Sequence, residues 1–139
     1  MLVAILDVNV LVSSPLSTRG PPAEIVEQWE EGAFDLIVSP LLLDELERAI
    51  IKDKIAGRAD PRDVAALREA LLRDAVHFDD PPPGQYVPAD PGDDYLVALA
   101  FAAEAHVIVT GDRHLLELKL ERPRVVTPAE FRGWLADVP

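Results

Sequence analysis

The sequence predicts an α/β fold, a parallel sheet covered by helices, from three features of the chain. Short runs rich in Val, Ile and Leu alternate with longer segments of helical periodicity, the order that βαβ units require. The first run, Leu2–Leu6, is continuously apolar and not alternating, as expected of a strand buried on both faces. Ser39-Pro40 and Thr127-Pro128 each set a capping residue before proline, the arrangement that opens a helix.

Taken in order, Leu2–Leu6 reads as the first strand, followed by a polar stop at Asp7 and Asn9 and a loop over Ser13–Pro22. Asn9 stands two residues beyond Asp7, on the same side if the strand continues. Ala23–Glu31 carries Ile25, Val26 and Trp29 at helical spacing, and Phe34–Val38 is a second strand. The helix opened by Ser39-Pro40 runs to about Ile51, and Asp60-Pro61 opens another to about Ala75 with Val64, Leu67, Leu71 and Leu72 on one face. Val76–Phe78 is a short strand. Five prolines between Asp79 and Gly92 exclude a helix there. An Ala/Leu-rich helix follows over Asp93–Ala105, then a strand over Val107–Thr110, a short helix over Asp112–Leu118, a strand at Arg124–Val126 and a last helix to Leu135.

At 139 residues, 49% hydrophobic and 27% charged, the chain is expected to form one domain over residues 1–139 and to bury roughly two-thirds of its unfolded surface. The lack of cysteine excludes disulfides, thiolate metal sites and thiol nucleophiles, and suits a reducing compartment. The apolar start has no basic segment before it and is interrupted by Asp7, so it reads as a strand and not as a signal peptide. No apolar run approaches the ~20 residues of a membrane span. A soluble, cytoplasmic protein with no membrane partner is the expectation.

With 25 acidic and 13 basic residues the net charge is −12, which argues against nucleic-acid binding by bulk charge. The charge is uneven, however. Residues 48–73 hold seven cations (Arg48, Lys52, Lys54, Arg58, Arg62, Arg68, Arg73) against four acids, a segment suited to guiding a phosphate backbone.

Ligands of open α/β sheets bind beyond the carboxyl ends of the strands. There the sequence places Asp7 and Asn9, then Ser39 with Asp44 and Glu45 in the following helix, then Asp93 and Asp94, then Thr110 and Asp112. No Lys or Arg occurs within residues 1–18 or from 74 to 109 to neutralise them locally. Taken singly, Asp93, Asp94 or Asp112 could be a helix cap and Glu45 a solvated carboxylate, whereas a charge directly after a buried strand, at Asp7, is costly unless paired. Carboxylates converging on one cleft repel one another unless a cation sits among them. An all-oxygen set suits Mg2+ or Mn2+ and disfavours zinc, and such centres handle phosphate. His77 and His106 read as structural; His114, two residues after Asp112, and Arg113 beside it are candidates for touching substrate, as are Arg48 and Lys52.

The segments ILDVNVLVSS (5–14), SPLLLDELER (39–48), DPGDDYLVALAFA (90–102) and VIVTGDRHLL (107–116), in this order and spacing, resemble the PIN-domain family, in its VapC-like toxin–antitoxin ribonuclease branch. The resemblance covers nearly the whole chain. It implies a three-layer α/β/α sandwich with a central parallel sheet of four to five strands, whose acids bind one or two Mg2+ or Mn2+ ions. Carried over by position, the acids are Asp7, Glu45, Asp93 or Asp94, and Asp112, with Asn9, Ser39 and Thr110 in support. The spacing to Asp112 favours Asp94 as the metal acid beside Asp7, Glu45 and Asp112, while the D-P-x-D-D form keeps Asp93 close. Val8 replaces the hydroxyl residue of the usual D-T-N opening. The implied activity is metal-dependent hydrolysis of RNA, with a cognate antitoxin protein and a homodimer as partners; exposed apolar residues between Pro40 and Ala75 would serve the dimer.

Two competing readings, one an enzyme and one a signalling domain, fit less well. A haloacid-dehalogenase-like phosphatase wants Asp where the chain has Asn9, and a receiver-like domain needs an acid pair beside the first strand. A non-catalytic interaction domain of the same fold would keep the architecture without binding a metal.

Overall fold

A computed structural model describes residues 1–16, 19–55 and 57–137. Its centre is a five-stranded parallel sheet in the order β3-β2-β1-β4-β5, built from β1 (Val3–Leu6), β2 (Asp35–Val38), β3 (Val76–His77), β4 (Val107–Val109) and β5 (Arg124–Val126). In β1 and β4, successive residues point to opposite faces and all but Val3 are buried, so helices cover both faces of the sheet. That is the three-layer arrangement expected from the sequence.

Among the described residues, six helices lie between the strands, α1 (Val8–Ser13), α2 (Pro21–Glu30), α3 (Pro40–Ile55), α4 (Pro61–Asp74), α5 (Asp94–Ala102) and α6 (Arg113–Leu116), and α7 (Pro128–Ala136) follows β5. Their starts follow local chemistry. Asp60 accepts a hydrogen bond from the Arg62 amide ahead of α4, and Thr127 and Glu130 form a reciprocal capping box at α7. The core is apolar throughout, with Ile5, Leu6, Leu36, Leu99 and Ile108 inaccessible to solvent and Phe131 meeting Phe34 edge-on at 5.2 Å. No helix among the described residues is long and apolar enough to cross a membrane.

The first connection differs from the sequence expectation. The segment after β1 turns directly into α1, so Asn9 lies on an exposed helical position and not on an extension of the strand. The carbonyl of Asp7 receives the amides of Val10 and Leu11, which forces the helical turn despite four valines and leucines that favour strand. Elsewhere the structure lengthens α3 by four residues and shortens α5, whose approach is a 3-10 turn over Pro91–Asp93.

The strand order decides where a site can lie. From β1 the chain moves outward through β2 to β3, then crosses back to add β4 on the other side of β1. The crevice between the carboxyl ends of β1 and β4 is therefore the topological switch point of the sheet.

Candidate active site

Asp7 stands at that switch point, one residue past β1. Its amide donates to the Val109 carbonyl at 2.9 Å, and its carboxylate accepts from Thr110 Oγ1 at 2.6 Å. Both bonds tie the end of β1 to the end of β4. The side chain is almost fully buried, at 4% exposure. Burial raises its pKa; the Thr110 hydroxyl opposes that rise, and the charges of Glu45 and Asp112 add to it.

Thr110, itself buried, works twice. Its hydroxyl also accepts from the Asp112 amide at 2.9 Å, and Asp112 Oδ1 in turn accepts from the His114 amide at 2.8 Å. Asp112 is thus the N-cap of α6, as one reading of the sequence has it, and also a wall of the cleft. Asp93 makes a carboxyl–carboxylate hydrogen bond with Asp112. Asp93 is pushed up to about 8, first by burial and then by Asp112, Asp7 and Asp90, while its hydrogen bond to Asp93 holds Asp112 below the usual range. Asp90 joins this pair. One carboxylate oxygen from each of Asp90, Asp93 and Asp112 lies within 4.8 Å of the others.

Asp93 and Asp94, indistinguishable from spacing, have different surroundings. The carboxylate of Asp94 is buried against the proline-rich loop, where it accepts from the amides of Gly84 at 2.9 Å, Tyr86 at 2.5 Å and, more weakly, Val87 at 3.4 Å. Both of its oxygens are occupied by backbone donors. The structure sets Asp93, and not the Asp94 favoured by spacing, beside Asp112.

Glu45 reaches the cleft from α3. Ser39, buried at the end of β2, accepts from the Leu42 amide at 3.3 Å, and Asp80 accepts from the Leu41 amide at 2.9 Å, so the start of this helix is fixed on two sides. A turn and a half later, Glu45 Oε2 receives the hydroxyl of Tyr95 from α5. Burial and the neighbouring acids Glu45, Asp7 and Asp93 raise the Tyr95 pKa far above neutrality, so the phenol remains a donor. Asp44, next to Glu45, is exposed and turned elsewhere on α3.

Four of the acids foreseen from the sequence, Asp7, Glu45, Asp93 and Asp112, therefore feel one another across a single cleft. Two residues of the cleft escaped the sequence reading. Tyr95 looked like one more apolar helix residue, and Asp90 had no strand end to mark it, although the D-P-x-D-D run contains both it and Asp93. The other candidates sit around this centre. Asn9, Arg48 and Lys52 line a cavity beside Glu45; Arg113 is exposed and pairs with Glu117 at 3.7 Å; His114 lies near Asp112 with its buried Nδ1 unpartnered among the described residues. His106 accepts from the Val3 amide and His77 contacts the Leu71 carbonyl, both structural as expected.

The donor set fits a hard divalent cation. Its members offer only carboxylate oxygens, and three of them, Asp90, Asp93 and Asp112, each bring one oxygen within 4.8 Å of the others.

A family model described as PIN domain matches residues 3–114. Among solved structures, the chain is similar to PAE2754 from Pyrobaculum aerophilum, with a TM-score of 0.65 and 21% identity over 99% of this chain and 91% of that one. It is similar to VapBC2 from Rickettsia felis, solved bound to a DNA fragment from their promoter, with a TM-score of 0.61 and 14% identity over 90% of this chain and 97% of that one. FitAcB from Neisseria gonorrhoeae gives 0.52 and 17% over 91% and 98%. No curated protein matches the sequence.

Proposed function

The chain belongs to the PIN domain family, and from that premise we propose that it is a Mg2+- or Mn2+-dependent endoribonuclease, the toxin of a toxin–antitoxin pair. The observation that carries this reading is the convergence of Asp7, Glu45, Asp93 and Asp112 on the switch-point cleft. One or two divalent ions bound there supply charge for the phosphate oxygens and a more acidic water as nucleophile.

Asp7, Asp93 and Asp112 are the residues that would hold a first ion, with Asp90 as a further oxygen donor. Asp93, raised towards its neutral form without an ion, would bind one as a carboxylate. Thr110 fixes the Asp7 carboxylate and, through the Asp112 amide, the second wall of the cleft, so both acids are oriented beforehand. Glu45, with one oxygen engaged by Tyr95, keeps the other for a second ion or for the attacking water. Asp94 contributes indirectly, by fixing residues 84–87 along the rim. Asn9 and Ser39 support the scaffold at α1 and at the start of α3.

The likeness to the VapC-like branch and to the VapBC2 structure supports a protein partner that covers the cleft, with a cationic side chain entering among the acids. Exposed Leu41, Ile51 and Leu72 on α3 and α4 support a self-association face. The deciding experiment is cleavage of single-stranded RNA with and without Mn2+. Wild type should cut only with the metal, and Asp7→Asn should lose cleavage with an unchanged far-UV circular dichroism spectrum. Full activity in both Asp7→Asn and Asp93→Asn would overturn the assignment.

A further inference from the structure

Beside the acid cluster lies a cavity of about 650 Å3 between α1 and α3. Its two walls are helical stripes. One carries Asn9, Val12 and Ser13 with Leu16 beyond; the other carries Glu45, Arg48, Ala49 and Lys52. Glu45 belongs to both the acid cluster and the wall of the cavity. From Glu45, Arg48 lies roughly 4.5 Å along the helix axis and Lys52 roughly 10 Å, distances on the scale of one nucleotide step.

The charges of this wall are unusual for the chain. Of the cations between residues 48 and 73, Arg58 pairs with Asp53 at 2.6 Å, Arg68 with Glu47 at 2.6 Å, Arg73 with Asp74 at 3.1 Å and Arg62 with Asp60 at 3.7 Å. Arg48 and Lys52 are exposed, and among the described residues neither forms an ion pair. In a chain of net charge −12, partners for them are abundant. Besides Glu45, the acid that lines the cavity, Asp53, is buried and already held by Arg58.

We propose that this cavity is a nucleotide subsite. It receives the nucleotide next to the scissile bond of a single-stranded polynucleotide, with its phosphate at Arg48 and Lys52 and its base or sugar against Val12 and Leu16. The exposed Asn9 carboxamide faces the same space. The inference rests on the nuclease reading, because a polynucleotide alone offers one phosphate to the acid cleft and the next to the cations.

The test compares wild type with Arg48→Ala/Lys52→Ala on a fluorogenic single-stranded oligoribonucleotide in Mn2+, between about 50 and 200 mM salt. The double variant should lose about tenfold in kcat/KM at low salt, chiefly through KM. Its slope of log kcat/KM against log salt should shrink by roughly 1.4, or 0.7 for each phosphate contact on a single strand. Arg62→Ala/Arg73→Ala, which removes two paired cations on α4, should keep the wild-type slope. An unchanged slope in the Arg48/Lys52 variant overturns the subsite. So does an equal loss on bis(p-nitrophenyl) phosphate, which carries no flanking nucleotide and would report damage to the acid centre. That small diester also separates the two readings. If wild type hydrolyses it, Asp7→Asn does not, and the oligonucleotide shows no cation-dependent slope, the nuclease stands and the subsite falls; if wild type hydrolyses neither substrate, both fall.

Discussion

Asp93 and Asp94 are neighbours in sequence, and replacing each by asparagine should produce opposite results. Asp94 is buried and accepts hydrogen bonds from Gly84, Tyr86 and Val87 amides. Asparagine keeps one acceptor oxygen and turns an NH2 group towards an amide donor. A lost charged hydrogen bond is worth about 1.5–3 kcal/mol, and the unsatisfied amide adds to it, so Asp94→Asn should cost about 2–4 kcal/mol. With a urea slope of about 2 kcal/mol/M, that lowers the unfolding midpoint by roughly 1–2 M. Asp93 is different, because at neutral pH it already carries a proton and is hydrogen-bonded to Asp112. Asparagine reproduces that neutral donor, so the midpoint should move by less than about 0.5 M in metal-free buffer. Metal binding should divide the other way. By calorimetric titration of Mn2+ at a urea-free pH of 7, Asp93→Asn should weaken affinity at least about tenfold, whereas folded Asp94→Asn should retain it. A variant pair in which Asp94→Asn loses the metal and keeps its midpoint would refute the assignment of roles and restore the preference that spacing alone gives.

Other outcomes follow from the same contacts. Without divalent ions, Asp93 is raised from 3.8 to about 8, so its contribution to stability is fully present below about pH 4 and is lost as pH rises through 8; thermal midpoints in chelator should fall across that window, and Asp93→Asn should flatten the fall. Tyr95→Phe keeps the ring and removes the hydroxyl from Glu45; kcat should drop about tenfold with little change in KM, and an unaltered kcat and Mn2+ requirement would show that Tyr95 only packs. Thr110→Val strips the donor from buried Asp7 and the acceptor from the Asp112 amide, for a loss of about 2–4 kcal/mol measured by urea unfolding. Thr127→Ala should cost about 1 kcal/mol at the same assay, through the capping box of α7.

The parts of the site legible in the sequence are those marked by a strand end. Asp7 and Thr110 follow runs whose every residue is apolar, and a polar residue there has one place to go once the strand order is that of a doubly wound sheet. The ambiguity between Asp93 and Asp94 has a physical source. Adjacent helical residues point about 100° apart, so choosing between them requires the rotational phase of α5. Leu96, Val97, Ala98, Leu99 and Ala100 are all buried, and a helix apolar all round carries no stripe from which to read that phase. Tyr95 was hidden for a related reason, since its partner Glu45 is 50 residues away and only the packing of α5 near α3 joins them. The short α1 was missed because Val8, Val10, Leu11 and Val12 suit a strand; tertiary hydrogen bonds to the Asp7 carbonyl decide the matter.

The net charge of −12 takes on a specific meaning in this geometry. Four of the cations that made residues 48–73 look basic are held by Asp53, Asp60, Glu47 and Asp74, so the segment presents far less positive field than its composition suggests. Meanwhile the cleft gathers acids whose burial and mutual repulsion push Asp93 up to about 8. On the proposed nuclease reading, a phosphate backbone approaching the metal-free protein would meet repulsion at the acid cluster and attraction from Arg48 and Lys52 beside it. Bound divalent ions reverse the sign of the cleft while leaving the flanking cations unchanged. Metal loading and substrate affinity are then coupled, each raising the other by the same factor. Substrate binding should accordingly depend steeply on divalent ions and only shallowly on monovalent salt, the opposite of a protein that holds nucleic acid by a broad basic face.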